Sequence, residues 1–158
     1  MVREPRRIKF RKGLHPIYLP VYDALCKELS ENWQPVSGLR SFEEQGQLFA
    51  KGRTAPGPIV TRAKPGMSYH NYGLATDWLY FRDERTFVDL KQDSPRWLEY
   101  IEVCNKVGAR TLSFERPHNE LIIQHSIDKL FMAYESGGMK AVDKLLLSKP
   151  EVQLKKGK

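Results

Sequence analysis

The chain has few cysteines and no long apolar run. These two features argue against a disulfide-rich protein and against a membrane-spanning one. It contains 2 cysteines among 158 residues. Neither Cys26 nor Cys104 belongs to a CxxC motif, so we predict no disulfide framework. Both lie in apolar helical patterns, which favours buried free thiols. No apolar run approaches the roughly 20 residues that span a bilayer, so we expect no stable membrane insertion.

The N-terminus lacks the apolar segment of a secretory signal. Residues 1–10 carry positive charge, but no apolar core follows them, and a secretory signal needs both. We therefore expect a protein that is made in the cytoplasm and kept there, one that is exported by other means, or one whose leader has been removed.

The formal net charge of +7 raises the question of an anionic partner. Nucleic acid is the usual partner of a basic protein, yet the basic residues are scattered, with small concentrations at 3–12 and 155–158. No basic stripe interleaved with aromatic residues is present, so we predict no nucleic-acid binding. A polyanionic surface such as a bacterial cell envelope fits the charge as well as nucleic acid does, and so does a role in solubility alone.

Length and hydrophobic pattern predict one α+β domain over residues 1–150, followed by a flexible basic tail over 151–158. Ser41 with Glu44 three residues later is the capping-box pattern that opens a helix. The predicted helices cover residues 20–31, 41–51, 95–107 and 127–147, the last interrupted at Gly137-Gly138. The predicted strands cover residues 36–40, 74–81, 111–114 and 121–124, and the last two flank a predicted loop at 115–118.

Two histidines and two acids form the pattern with the clearest chemistry. His70 and Asp77 lie in one motif at 68–77, and Glu115 and His118 form a second motif. Imidazole and carboxylate groups are both zinc ligands. His70 and Asp77 would lie roughly 10 Å apart along a helix and roughly 23 Å apart on a straight strand. Neither separation allows one ion to bind both at about 2 Å. The chain must fold back between them, and Gly73 permits such a turn.

Two stretches carry a family resemblance. SGLRSFEEQGQLFAKGRT at 37–54 and PGPIVTRAKPGMSYHNYGLATDW at 56–78 resemble the zinc peptidases that cut peptidoglycan stem peptides. This group comprises D-alanyl-D-alanine carboxypeptidases and L-alanyl-D-glutamate endopeptidases, including many phage endolysins. Its signature, SxHxxGxAxD followed by acid-x-x-His, is present here, and the similarity covers about residues 37–121. The Gly/Pro-rich loop at 52–67 is most similar to that of the L-alanyl-D-glutamate endopeptidase branch.

The resemblance implies a role for each matching residue. His70, Asp77 and His118 would bind one zinc ion and leave a fourth position for water. Glu115 would act as the general base, and Arg40 would face a substrate carbonyl or carboxylate. The motif positions that would orient the metal shell or the substrate are Ser68 and Gln45, and a further candidate for the substrate groove is Tyr72.

The resemblance also implies a small antiparallel sheet that carries the zinc site, with helices packed around it. The expected activity is hydrolysis of an amide bond in the stem peptide, and the first candidate is the L-alanyl-D-glutamate bond. Alternatives are a D-Ala-D-Ala or L,D-carboxypeptidase, or a non-catalytic zinc-containing relative that only binds, as in Hedgehog signalling domains. The expected partner is bacterial peptidoglycan, and we expect a monomer that acts at the cell wall or periplasm. A binding-only descendant would be free to lose Glu115, so its presence favours an enzyme.

The chain departs from the family pattern around the second motif. Asn119 stands where an aromatic residue is common, and Glu115 stands where Asp is common in the endolysin branch. The segment 107–114 lacks the Gly/Trp-rich character of the relatives. These differences leave the metal ligands intact and concern the substrate pocket.

Overall fold

The computed structural model describes residues 4–148, which divide into two compact units, residues 4–122 and residues 123–148. The first unit is an antiparallel sheet with helices, which confirms the α+β class. Its helices are α1 (Arg6–Lys9), α2 (Leu19–Glu28), α3 (Phe42–Ala50) and α4 (Pro95–Lys106), and its strands are β1 (Trp33–Ser37), β2 (Ala75–Tyr80), β3 (Ala109–Leu112) and β4 (Glu115–Leu121). The prediction of one domain over 1–150 stays a prediction, and the predicted tail at 151–158 lies outside the described residues.

The helix starts follow local sequence signals. Ser41 caps α3: its Oγ accepts from the backbone N–H of Glu44 at 3.0 Å, and the Glu44 carboxylate accepts from the Ser41 N–H at 2.8 Å. This reciprocal pair confirms the predicted capping box. Helix α4 begins at Pro95 after the N-cap Ser94, whose side chain accepts from Arg96. Proline suits a first helical turn because its missing N–H would have no intrahelical partner there.

The sheet has the strand order β1-β2-β4-β3, and all pairs are antiparallel. The two strands that carry the metal motifs, β2 and β4, therefore lie side by side in its centre. Strand β1 lies at an edge, which is where a strand tolerates Pro35. Asp77 on β2 is directly opposite Ser37 on β1 and His118 on β4.

One face of this sheet packs against aromatic residues of the helices. Trp78 on β2 is fully buried and contacts Tyr22 of α2, with ring centroids 5.7 Å apart. Trp33 on β1 stacks on Tyr100 of α4 at 4.9 Å. Trp78 is thus a core residue, as predicted. Because successive residues of a strand point to opposite faces, Asp77 lies on the face away from this aromatic core.

The second motif lies in a strand, which corrects the predicted loop at 115–118 and the predicted strand at 121–124. Strand β4 begins at Glu115 and ends at Leu121. Pro117 suggested a loop because it has no N–H to donate. The pairing with β3 shifts register between Thr111 and Leu112, and Pro117 falls in that irregular stretch, where the missing donor interrupts no regular ladder.

The second unit contains α5 (Ile127–Leu147), which Ser126 caps by accepting from the N–H of Lys129. Backbone angles inside this helix are non-helical at Gly137 and Gly138, so the predicted interruption is confirmed. No helix within residues 4–148 combines the length and the apolar character that crossing a membrane requires. In the first unit, Cys26 is half-buried, Cys104 is buried, and both are free thiols.

Candidate metal centre

Three side chains of the first unit converge on one point, on the face of the sheet away from the aromatic core. Nε2 of His70 lies 3.1 Å from Oδ1 of Asp77 and 3.2 Å from Nδ1 of His118. Nδ1 of His118 lies 3.2 Å from the same Asp77 oxygen. The two imidazoles are buried, and the carboxylate is 16% exposed. The structure therefore brings together the three predicted ligands in a nearly equilateral triangle.

Two pieces of local structure position the three ligands. His70 lies in a 3-10 turn at Tyr69–Tyr72, which Gly73 ends in the left-handed conformation with φ of 66°. A Cβ at Gly73 would come within 2.7 Å of the Gly13 carbonyl oxygen, so glycine is required for conformation and for space. Asp77 and His118 are cross-strand partners on β2 and β4. The predicted fold-back at Gly73 is confirmed.

The triangle fits a small divalent cation. Ligand atoms about 2.0–2.2 Å from a tetrahedral zinc ion lie roughly 3.3–3.6 Å from one another. The three measured separations are 3.1, 3.2 and 3.2 Å, so only a small expansion is needed. Three protein ligands leave a fourth tetrahedral position, which is the pattern of catalytic zinc sites and not of structural ones.

The electrostatic surroundings of this donor set favour a positive charge. Burial by itself would raise the pKa of Asp77, but the neighbouring His70 and the hydrogen bonds from both imidazoles keep that pKa far below its ordinary value. Burial would lower the pKa of His118, yet hydrogen bonds to Asp77 and Glu120 raise it to about 9. The negative surroundings thus attract a positive charge to this point, a proton in the metal-free protein.

Arg40 adjoins the triangle at the β1 side. Its guanidinium donates to the side-chain oxygens of Gln45 and Ser37 at 2.9 Å each, and to Oδ2 of Asp77 at 3.4 Å. Gln45 is fully buried and donates in turn to the carbonyl of Ala63 at 2.8 Å. Arg40 is also one of the residues that line a groove of about 350 Å³. The predicted substrate role of Arg40 stays a prediction, and Gln45 orients this arginine.

Two other predicted residues lie around the His70 turn. Ser68 is half-buried and precedes the turn as its N-cap, without a side-chain capping bond. Tyr72 is buried, its hydroxyl donates to the carbonyl of Gly66 at 2.7 Å, and its ring meets Phe42 edge-on. The structure thus gives Tyr72 a supporting role for the loop before the turn. Substrate contact by Ser68 and Tyr72 stays a prediction.

The predicted base, Glu115, is the first residue of β4 and is exposed to solvent. Its strand partner is Leu112 across the two-residue turn at 113–114. The irregular register of β4 lies between Glu115 and His118, so strand alternation does not determine which way the carboxylate faces. Its role as the base stays a prediction.

Sequence reasoning missed Glu120, although this acid contacts a ligand directly. Oε2 of Glu120 accepts from Nε2 of His118 at 2.8 Å, and Oε1 accepts from Nε of Arg110 at 2.8 Å. Residues two apart in a strand share a face, so Glu120 would have been found if the strand had been predicted to begin at Glu115. The loop prediction removed that signal.

Asn119, which departs from the family pattern, lies in the core and not in the pocket. Its amide nitrogen donates to the carbonyl of Thr76 at 3.0 Å and to the Tyr100 hydroxyl at 2.8 Å, and its oxygen accepts from the Tyr18 hydroxyl. Thr76 and Asn119 directly precede and follow two ligands, Asp77 and His118. This polar network therefore links β2 and β4, the two strands that carry Asp77 and His118, on the core side of the sheet.

Comparison with known proteins places this geometry in a family. The model of the VanY family, described as D-alanyl-D-alanine carboxypeptidase, matches residues 20–116, more than half of the chain. The chain belongs to the VanY family. The match includes the His70–Asp77 motif and Glu115 and ends two residues before His118, so the structure supplies the third member of the ligand set. The predicted family is confirmed.

This VanY-family chain is also similar to individual proteins. It is 41% identical over 111 residues to the peptidoglycan L-alanyl-D-glutamate endopeptidase CwlK of Bacillus subtilis, an alignment that covers 65% of this chain and 64% of that protein. The chain thus spans somewhat less than two thirds of the curated relative's length. The crystal structure of Serratia marcescens L-Ala D-Glu endopeptidase ChiX matches with a TM-score of 0.46 at 19% identity, covering 74% of this chain and 86% of that one.

Proposed function

We propose that this chain is a zinc-dependent peptidase that hydrolyses the L-alanyl-D-glutamate bond of peptidoglycan stem peptides. The observation that carries this proposal is the triangle of His70, Asp77 and His118, with three donor atoms 3.1–3.2 Å apart in a VanY-family chain. The 41% identity to CwlK supports the endopeptidase over the carboxypeptidase. The proposed site of action of this chain is the bacterial cell wall.

The chain's own residues would divide the work around the ion. Zinc in this site supplies Lewis-acid chemistry, polarising a carbonyl and making a water molecule acidic enough to react near neutral pH. Glu115 accepts the proton of the attacking water at a carboxylate oxygen and delivers it to the leaving amine nitrogen. Arg40, held by Gln45 and Ser37, donates hydrogen bonds to the oxygen on which negative charge develops.

The test is digestion of purified peptidoglycan with mass spectrometry of the released fragments. The whole chain is compared with zinc added, with a chelator, and with zinc restored, and His118→Ala serves as the ligand-deficient control. We expect chelator-sensitive cleavage that creates new glutamate N-termini. Release of free D-alanine would show a carboxypeptidase instead. A chain that binds stoichiometric zinc and cleaves no wall type would be a binding relative and would overturn the proposal.

A further inference from the structure

Glu120 is a buried acid beside the metal triangle, and both of its oxygens are in use. Its side chain is 5% exposed. Oε2 accepts from Nε2 of His118 at 2.8 Å, and Oε1 accepts both from Nε of Arg110 at 2.8 Å and from Nη2 of the same guanidinium. A carboxylate engaged in this way is not available to a substrate.

The bond to Glu120 determines which nitrogen of His118 faces the triangle. The neutral imidazole, which is the form that binds a metal, has one N–H donor and one acceptor nitrogen. When Nε2 donates to Glu120, Nδ1 carries the lone pair, and Nδ1 is the atom 3.2 Å from both His70 and Asp77. His70 has the complementary arrangement, because its Nδ1 lies 2.8 Å from the Gly38 carbonyl and its Nε2 faces the triangle.

Arg110 stabilises Glu120 in this position. The two residues are cross-strand partners on β3 and β4, so their side chains meet on the same face of the sheet. Arg110 is 51% exposed, and its guanidinium therefore stays hydrated while it compensates the buried carboxylate. The bonds run in sequence from Arg110 through Glu120 to His118.

We propose that Glu120 is a positioning residue of the metal centre, and that Arg110 acts through it. Together they hold the His118 ring so that its Nδ1 points at the metal position. Carboxylates that accept from the second nitrogen of a metal-bound histidine orient the ring and increase its basicity, and their loss typically costs about 10–100-fold in metal affinity. The inference rests on the metal-binding part of the proposed function and not on which bond is cut.

The test measures zinc affinity of the whole chain by competition with a chromophoric chelator. We expect Glu120→Ala to weaken zinc binding about 10–100-fold, and Glu120→Gln, which keeps an acceptor oxygen, to recover most of that loss. Glu99→Ala, an exposed acid on α4, is the matched control and should bind zinc as the unmodified chain does. The unfolding midpoint of each metal-free variant is measured separately, so that lost stability is not mistaken for lost affinity.

Two further readouts separate positioning from a merely structural role. The visible absorption bands of the Co²⁺-substituted protein report ligand geometry, and we expect them to change in Glu120→Ala and to return in Glu120→Gln. Arg110→Ala should weaken zinc binding in the unmodified chain but have no further effect in the Glu120→Ala background, because the two residues act in series. If Glu120→Ala does not fold, Arg110→Ala carries the test, and unchanged zinc affinity and unchanged Co²⁺ bands in that variant would overturn the inference.

Unchanged zinc affinity and unchanged Co²⁺ bands in Glu120→Ala would overturn the inference, and so would a fall in the unfolding midpoint alone. That result would leave the proposed function standing, since the unmodified chain would still bind zinc and cleave the wall. Failure of the unmodified chain to bind zinc at all would instead defeat the proposed function.

Discussion

At the scale of single residues, two acids flank His118 in opposite surroundings. Glu115, three residues before it, is exposed, whereas Glu120, two residues after it, is buried with both oxygens bonded. A general base must exchange protons with water and substrate, which a buried, doubly bonded carboxylate cannot do. This contrast supports the assignment of the base to Glu115 and of the orienting role to Glu120.

Glu115→Gln should abolish most hydrolysis without affecting zinc. We expect the cleavage rate to fall about 10²–10⁴-fold, the usual contribution of a general base, while zinc content stays at one ion per chain. Cleavage is followed by mass spectrometry and zinc by elemental analysis, with Glu99→Gln as an exposed-acid control. A rate equal to that of the unmodified chain would show that Glu115 is not the base.

At the scale of elements, the His70 turn and the central strands hold the ligands by different means. The turn depends on a left-handed residue at Gly73 that packs against the backbone of residues 13–15. The strands β2 and β4 depend on cross-strand pairing and on the polar network around Asn119. Backbone conformation therefore limits substitution in the turn, and hydrogen bonding limits it in the strands.

Gly73→Ala should destabilise the fold more than alanine at another glycine with positive φ. Gly108, with φ of 83°, is the matched control, because a Cβ there would have no neighbour within 4 Å. Both variants carry about 1–2 kcal/mol of left-handed strain. Gly73→Ala adds the collision with residues 13–15, which we expect to cost about 1–3 kcal/mol more. Urea unfolding of both variants measures the difference, and equal losses would contradict the close approach.

Asn119→Ala should lower the free energy of unfolding by about 2–3 kcal/mol, because it leaves buried groups such as the Thr76 carbonyl with fewer partners. Urea unfolding provides the measurement, and Asn105→Ala, an exposed asparagine on α4, is the control with little expected change. If Asn119 instead contacted substrate, the variant would retain its stability and show a raised KM for wall fragments.

At the scale of the whole molecule, the metal site joins segments that are far apart in the chain. His70, Asp77 and His118 meet only when the sheet has formed, since Asp77 and His118 come from different strands. A ligand that binds the folded chain and not the unfolded one adds to its stability by mass action. Binding of the proposed zinc ion would therefore be coupled to folding in this protein.

Removal of zinc should lower the unfolding temperature. At a free zinc concentration one hundred times Kd, the stabilisation is about 2.7 kcal/mol, which corresponds to a shift of roughly 5–11 °C for a chain of this size. Thermal unfolding with chelator and with zinc restored measures the shift. His70→Ala should show no response to zinc, and a response equal to that of the unmodified chain would place the metal elsewhere.

Local signals in the sequence were sufficient for much of the architecture. The capping box at Ser41, the interruption at Gly137-Gly138 and the fold-back at Gly73 were all predicted, because each depends on residues within a few positions. The ligand set followed from motif spacing and family resemblance together. The start of β4 was not predicted, because Pro117 is a loop signal that only an irregular strand register overrides.

The sequence by itself determined the α+β class, the family and the three residues able to bind a metal, since residue types and short spacings carry that information. Only the tertiary structure decided that Glu120 and Arg110 support His118, that Asn119 belongs to the core, and that Gln45 holds Arg40 beside Asp77. These contacts join residues from different strands and helices. Their partners are determined by sheet register and packing, which no local pattern encodes.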